Sequence, residues 1–426
     1  MIDFFKNKKF KDIVNLFFII TLLLASIWLI ELIVDISVNE PHTLLNNGVF
    51  HHRIDDTFND FYYVNDFFLR YSPYVECNSS YPPLNFIICF PFMLIQRHDK
   101  YPAFILYVTT YSLFLIGIII LTVRKFKLSL GYTIKLVVAL GISSPFMFMI
   151  ERGNYIVLTF CFVCLFLLTY DSKNRVVREL SYVWLAIAAA CKFYPAVFAI
   201  LLLREKRYLD LAKTALYSVL LFFLPFLVMK EGFADNFLTF LNNLRSFSSY
   251  ERLSLDVSTN NMVRIFAFIF GLNYLSSGVA IFSVIIKFTL FVLMVVGMIF
   301  ASKKWQVLAL ASLCAVVIPS TAMVHVLVFL FPAIFMFLLD RQREKLDYFY
   351  MALFILIITP LQLGYIIKPI PFSEQVIDIQ NINPNYLGLT VCTFIEAISA
   401  FALALTLSVR ILFQTIKEFQ NNQKTV

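Results

Sequence analysis

The stretch from Asp55 to Leu84, DDTFNDFYYVNDFFLRYSPYVECNSSYPPL, crowds four aspartates, a row of aromatic residues and two adjacent prolines into one segment. A carboxylate that takes a proton during a reaction must be ionised yet basic, which a partly desolvated setting provides. Asp60, inside NDFYY, has such a setting, because an aromatic-rich run suits the membrane–water interface. Asp56 is the second candidate, while Asp55 and Asp66 read as solvated acids. Lys192, in KFYP, has about ten apolar residues on either side and is expensive to bury without an anionic partner, although snorkelling is its bland alternative. His325 follows Pro319 at the start of an apolar run, where a lone histidine fills a core as often as it serves a site. Arg152, Arg245 and Arg264 can each pair a phosphate or a lipid headgroup. An acid together with buried cations in an apolar chain suits a lipid phosphate that carries a polar group.

The elements that must position these residues are membrane helices. Of 426 residues 60% are apolar and 15% charged, and the mean hydropathy is +0.80, which leaves too little polar surface to coat a soluble globule. The formal charge of +8 comes from lysines and arginines in short clusters between apolar runs. Such charge sets topology and implies no nucleic-acid partner. Six of the seven cysteines (Cys89, Cys161, Cys164, Cys191, Cys314, Cys392) lie in apolar segments, so no disulfide framework is implied. The basic N-terminus and its long apolar run, without a small-residue cleavage site, read as a retained first helix.

Placing the basic clusters in the cytoplasm puts both termini inside and gives an all-α polytopic protein of about 12 transmembrane helices. The expected organisation is one integral membrane catalytic domain over 1–426. A first helix covers 1–36, an external loop with juxtamembrane and interfacial helices 37–100, further spans 101–301, and C-terminal spans 302–426. Within it, Val14 to Ile36, Tyr101 to Thr122, Thr133 to Ile150, Tyr155 to Tyr170, Tyr208 to Met229, Leu275 to Ala301, Trp305 to Ile318, Val324 to Leu339, Tyr348 to Ile367 and Leu387 to Phe413 read as crossings. The segment from Arg178 to Arg204 is too short for two full spans and reads as a re-entrant pair broken at KFYP. The Asp-rich loop, ERGN, KFYP, the external loop 230–262 and PSTAMVH then all fall on the extracytoplasmic side, as an active site between helices would require.

NDFYYVNDFFLRYSPY followed by YPPLNFIICFPF, ERGNYIVLTFCFV, CKFYPAVFAILLLREKRY, STNNMVRIF and IPSTAMVHVLVFLFPA occur in an order that resembles glycosyltransferase family 87. These are the polyprenyl-phosphate-mannose-dependent membrane transferases of the C-type (GT-C) superfamily. The resemblance, over residues from about 45 to 340, implies a GT-C-like fold and a hexosyltransferase; no cofactor is expected, and because lysine and arginine can stabilise a lipid monophosphate leaving group without a metal, no divalent ion either. It implies Asp60 as general base, with Asp56 as competitor, and inversion at the anomeric carbon. Lys192, His325 and Arg264 would lie at the donor phosphate, and Arg152, Asn154, Tyr81, Tyr194 and Asn260 at the sugar or acceptor. The expected partners are a polyprenyl-phosphate sugar donor, a glycan or glycolipid acceptor of the cell envelope and the lipid bilayer of the cell membrane. ERGN departs from the family's Gly-Gln, and STAMVH lacks its tryptophan and adjoining histidine, so the sugar, mannose or another hexose or pentose, stays open. A lipid-sugar flippase would favour two related halves and more than the 11 glycines here. A polymerase or ligase that uses a lipid diphosphate donor stays open as well.

Overall fold

The structure is a computed structural model that describes residues 8–38, 58–69, 73–248, 256–340, 342–359 and 384–424. Among these residues it is all-helical, apart from one isolated bridge between Asp256 and Met323. The helices are α1 (Lys8–Val38), α2 (Asn59–Leu69), α3 (Leu84–Gln96), α4 (Lys100–Phe126), α5 (Leu130–Gly141), α6 (Ser144–Arg152), α7 (Ile156–Thr169), α8 (Arg175–Cys191) and α9 (Ile200–Arg204). They continue with α10 (Tyr208–Phe223), α11 (Phe233–Ser248), α12 (Thr259–Ile269), α13 (Ser277–Phe300), α14 (Lys304–Val317), α15 (Phe331–Leu339), α16 (Lys345–Ile358) and α17 (Pro384–Lys424). Short 3-10 turns cover Tyr194–Ala199, Leu224–Val228 and Val324–Leu330.

Among the described residues, four helices are long and apolar enough to cross a membrane: α4, α10 with its 3-10 extension, α13, and α17 over Thr393–Asn421. A fifth is possible if α5 and α6, bent by 63° at their junction, count as one span. This marks a membrane protein. The apolar run from Thr133 to Ile150 is thus a bent pair rather than one straight helix. The runs at 155–170, 305–318 and 324–339 form shorter helical pieces, because turns and prolines cut them. Residues beyond 359 in the 348–367 run, and 39–57 in the first loop, lie outside the described residues.

The chain divides into two compact units. One comprises 53–133 and 149–250. Its centre is α7, which is apolar all round and buried along most of its length between α4 and α8. The N-cap of α4 is Asp99, whose carboxylate accepts from Tyr101 N at 2.9 Å. Beyond its cap α4 turns Ile105, Leu113 and Ile116 outward, the kind of surface that lipid covers. Helix α8 ends at Cys191, and the chain resumes at the Tyr194–Ala199 turn, so the predicted break falls at Lys192 and Phe193. Proline at the second position of that turn has no amide hydrogen to lose. Helix α11, inside what the sequence presents as an external loop, is amphipathic, with Phe240 and Asn236 inward and Leu238 and Leu241 outward.

The other unit comprises 1–52, 134–148 and 251–426. Its core is α14, buried from Trp305 to Val317 and packed on α13, α15 and α17. Helices α13 and α14 come close at Gly297, where a Cβ would sit 2.8 Å from Leu310 Cδ1 and 3.4 Å from Ser408 Cα on α17. A small residue at such a crossing lets membrane helices approach closely. At the start of α16, buried Arg410 of α17 pairs with Asp347 at 2.9 Å and Glu344 at 2.6 Å.

Candidate active site

In the first unit the candidate site grows from the ERGN turn. Phe58 sits in the left-handed region (φ 56°), and its N–H donates to Glu151 O at 2.7 Å, docking the turn onto the start of α2. Gly153 has φ +61°, and a Cβ there would lie 3.1 Å from Phe61 Cβ and 3.2 Å from Phe58 Cα. Glycine is therefore required twice, by conformation and by contact. The close approach carries Arg152 and Asn154 to Asp60, in the first turn of α2. The Arg152 guanidinium pairs with Asp60 Oδ1, and Asn154 Nδ2 donates to Asp60 Oδ2 at 2.6 Å. Both members of the ion pair are largely withdrawn from solvent, the carboxylate at 12% side-chain exposure. The positive end of α2 adds to the stabilisation of the ionised acid.

Asn154 is itself held from three sides. Its Oδ1 accepts from Ile156 N at 2.9 Å, its carbonyl oxygen accepts from Tyr107 OH at 3.0 Å, and its N–H donates to Met149 O. Beneath Asp60 lies an aromatic floor in which Phe61 stacks on Tyr107 with ring centroids 4.7 Å apart and on Tyr155 at 5.9 Å. Tyr155 OH reaches Asn65, whose amide donates to Gln96 Oε1 at 2.6 Å, and Gln96 Nε2 in turn donates to Asp66 at 3.0 Å. Asp66 is thus part of a fastening between α2 and α3 rather than a solvated acid.

Lys192 comes to the same cluster. Its Nζ lies 4.3 Å from the centre of the Tyr81 ring. The YPPLN turn sets this geometry, because Asn85 Nδ2 donates to Pro82 O and to Cys191 O, the latter at 2.7 Å, tying the turn to the end of α8. Tyr81 is anchored at its backbone by Tyr74 OH and by Ser79 Oγ, while Asn243 of α11 donates to Tyr74 O and Ser79 O. Burial holds the Tyr81 phenol well above its ordinary value, with the charge of Asp60 acting in the same direction and the Arg152 charge and the Asn154 amide against it. Lys192 sits between helices, crowded by protein yet not sealed. Burial pulls its ammonium down to about 8, and the nearby carboxylate of Asp60 opposes that fall. Tyr194, two residues on, lies within electrostatic reach of Tyr81. Five predicted residues around Asp60 (Tyr81, Arg152, Asn154, Lys192 and Tyr194) therefore gather in one unit, while Asp56 lies outside the described residues.

Asn260, Arg264 and His325 belong to the second unit, where 256–264 is latched to 317–325. Val257 N donates to Ala322 O at 2.7 Å, and Asp256 Oδ1 accepts from Ala322 N at 2.9 Å and Ser258 N at 2.8 Å. Thr259 Oγ1 reaches Val317 O, and both Ser258 Oγ and Asn260 Nδ2 reach Ser320 O. Asn260 thus contributes to the latch. Burial pushes the Asp256 carboxyl up to about 6, against its two backbone donors and the Arg264 charge. His325 is buried and stacks on Phe148 with ring centroids 5.7 Å apart. Sequence reasoning passed over Asp256 and over Lys287, the single charged residue of α13. A mid-span lysine is itself a signal, and an aspartate two residues before Ser-Thr is a turn-capping pattern.

No curated protein and no solved structure matches the chain at a significant level. The family model for glycosyltransferase family 87 matches residues 80–329, which takes in the Tyr81 turn, ERGN, Lys192, Arg264 and His325 and begins just after the helix that carries Asp60. Membership of the GT-C superfamily is consistent with that match. With more than half of its length matched, the chain belongs to glycosyltransferase family 87.

Proposed function

We propose that this glycosyltransferase moves a sugar from a polyprenyl monophosphate to a lipid-linked or cell-envelope glycan acceptor, at the outer face of the membrane and with inversion at the anomeric carbon. The observation that carries the reading is the cluster in which Asp60, held by Arg152 and Asn154, shares its surroundings with Lys192 over Tyr81. An inverting transfer needs a base to take the proton of the acceptor hydroxyl and cations to meet the charge that develops on the departing phosphate. Arg152 and Asn154 bind different oxygens of the Asp60 carboxylate, and each carboxylate oxygen has two lone-pair directions. The two donors fix the carboxylate's direction. Lys192, still protonated at neutral pH, is the cation for the leaving phosphate; Arg264 and His325 are assigned to the donor by resemblance. Tyr81, Tyr194 and Arg152 are assigned to the sugar or acceptor.

The experiment supplies purified protein with the same sugar on a polyprenyl monophosphate and, separately, on a polyprenyl diphosphate, with membrane glycans as acceptors. The proposal expects transfer from the monophosphate and inversion in the product. Transfer from the diphosphate alone would move the protein to polymerase or ligase chemistry. Movement of intact lipid-linked sugar across vesicles, without transfer, would make it a flippase.

A further inference from the structure

Tyr81, whose ring lies 4.3 Å from Lys192 Nζ, sits at the end of a tight loop that begins at Pro73. Ser79 N donates to Pro73 O at 3.1 Å, and Asn78, in the left-handed region that asparagine tolerates (φ 51°), helps to turn the chain between them. Within the loop Ser79 Oγ accepts from Tyr81 N at 3.2 Å, and Tyr81 O accepts from Tyr74 OH at 3.0 Å. Both backbone groups of Tyr81 are therefore held, and its ring goes where the loop goes.

The loop is gripped in turn by α11, from 164 and 169 residues along the chain. Asn243 Nδ2 carries two hydrogens, and it donates to two carbonyls of the loop, Tyr74 O at 2.9 Å and Ser79 O at 3.2 Å. One turn back on the same face of α11, Phe240 meets the Tyr74 ring edge-on with centroids 5.4 Å apart. Phe86 and Phe226 close around that ring at 5.8 and 5.7 Å, and Tyr74 is fully buried among them. A phenol in an aromatic cage needs a partner for its hydroxyl, and here the partner is the carbonyl of Tyr81. Helix α11 thus holds Tyr74 by ring and by carbonyl, and Tyr74 holds Tyr81.

We propose that Asn243 and Tyr74 are positioning residues for the transfer, which act by holding the Tyr81 ring against the Lys192 ammonium. Burial favours the neutral form of this lysine, while the Asp60 carboxylate, the Cys191 thiol and the ring face of Tyr81 favour the charged one. Releasing the ring leaves burial less opposed, so Lys192 gives up its proton at a lower pH. The assignment rests on the reading of Lys192 as the cation for the leaving phosphate. It gives α11, in the loop 230–262, a part in the reaction.

The test titrates the Lys192 amine directly, in purified full-length protein without donor or acceptor. Lys192 is half-buried, so a small reagent reaches it, and competitive acetylation at graded pH is read by mass spectrometry of the peptide that carries it. Tyr81→Leu sets the effect of losing the ring, a fall in midpoint of about half a pH unit or more. Tyr74→Phe keeps the three ring contacts and loses the bond to Tyr81 O, whereas Asn243→Ala loses both bonds to the loop. Each lowers the midpoint as Tyr81→Leu does, and neither adds to Tyr81→Leu when combined with it. Phe237→Leu loosens α11 against Phe223 and Phe226 but keeps the Asn243 amide, so it lowers Tm and leaves the midpoint in place. Wild-type midpoints in both Tyr74→Phe and Asn243→Ala overturn the proposal. So does a shift that adds in full to that of Tyr81→Leu, or an equal shift in Phe237→Leu. Should Asn243→Ala fail to fold, Tyr74→Phe alone decides. Because no sugar moves in this titration, a wrong donor or another role for Lys192 leaves its result untouched. An alkaline limb of transfer that does not follow the shifted midpoints contradicts the reading of Lys192 and not the positioning of its ring partner.

Discussion

Asn154 donates its side-chain amide to Asp60 at 2.6 Å while its own Oδ1 accepts the Ile156 amide at 2.9 Å. One residue thus starts helix α7 and aims the carboxylate of α2. Asn154→Ala removes both bonds. The expected result is a fall in sugar transfer of about tenfold, consistent with roughly 1.5 kcal/mol for a hydrogen bond to a charged group, together with a small drop in Tm. Asn154→Asp places a second carboxylate against Asp60 and should lower transfer further.

Gly153 tests whether the close approach of the ERGN turn matters. Gly153→Ala puts a methyl group 3.1 Å from Phe61 Cβ at a backbone φ of +61°. The conformational penalty alone is about 1–2 kcal/mol. We expect a lower Tm and a loss of transfer that falls on kcat rather than on donor KM, since the base is displaced and not removed. An unchanged kcat would mean that the turn does not set the position of Asp60.

Lys192 makes a pH prediction. Its ammonium titrates near 8, below the ordinary 10.5, and the charged form is the one that meets the leaving phosphate. Transfer should therefore fall as pH rises through about 8, by roughly tenfold one unit above it. Lys192→Arg stays charged throughout this range, so its alkaline limb should be flat even if its rate is lower. A wild-type profile that stays level to pH 9.5 contradicts the assignment.

The framework around Asp60 was legible in the sequence because its parts are short motifs with obvious chemical cost. A lysine deep in an apolar run, a YPPL turn and an ERGN turn each stand out, and the structure brings them together. What was not legible was which polar residues spend themselves on structure. Asn260 sits in a motif that resembles a sugar-binding one, yet its amide goes to Ser320 O, and Asp66 looks like a loop acid yet meets Gln96. Such pairings join residues 30 or more apart, and only the folded backbone decides them. Crossing counts were blurred for a related reason. Hydropathy is high over 133–150, but it cannot register the 63° bend between α5 and α6.

Asp256 carries a stability prediction of opposite sign to that of a salt-bridged acid. Its carboxyl rises from the ordinary 3.8 to about 6 through burial, so the folded state holds a proton that the unfolded chain releases. Its contribution is present below about pH 4 and is lost as pH rises to 6, a swing on the order of 3 kcal/mol. Asp256→Asn retains an Oδ1 acceptor for Ala322 N and Ser258 N and carries no charge. Its Tm should change less than that of wild type between pH 4 and 7, and equal slopes for the two proteins would contradict the reading.

The central claim is that Asp60 takes the proton of the acceptor. The measurement is transfer of radiolabelled sugar from a polyprenyl monophosphate donor to membrane acceptors by wild type, Asp60→Asn and Asp56→Asn at equal expression. Asparagine preserves the size of Asp60 and removes its basicity, so transfer should fall by about 100-fold or more in that variant while donor binding persists. Asp56→Asn should retain most of its activity. Transfer by Asp60→Asn at the wild-type rate, or its loss in Asp56→Asn alone, would contradict the account.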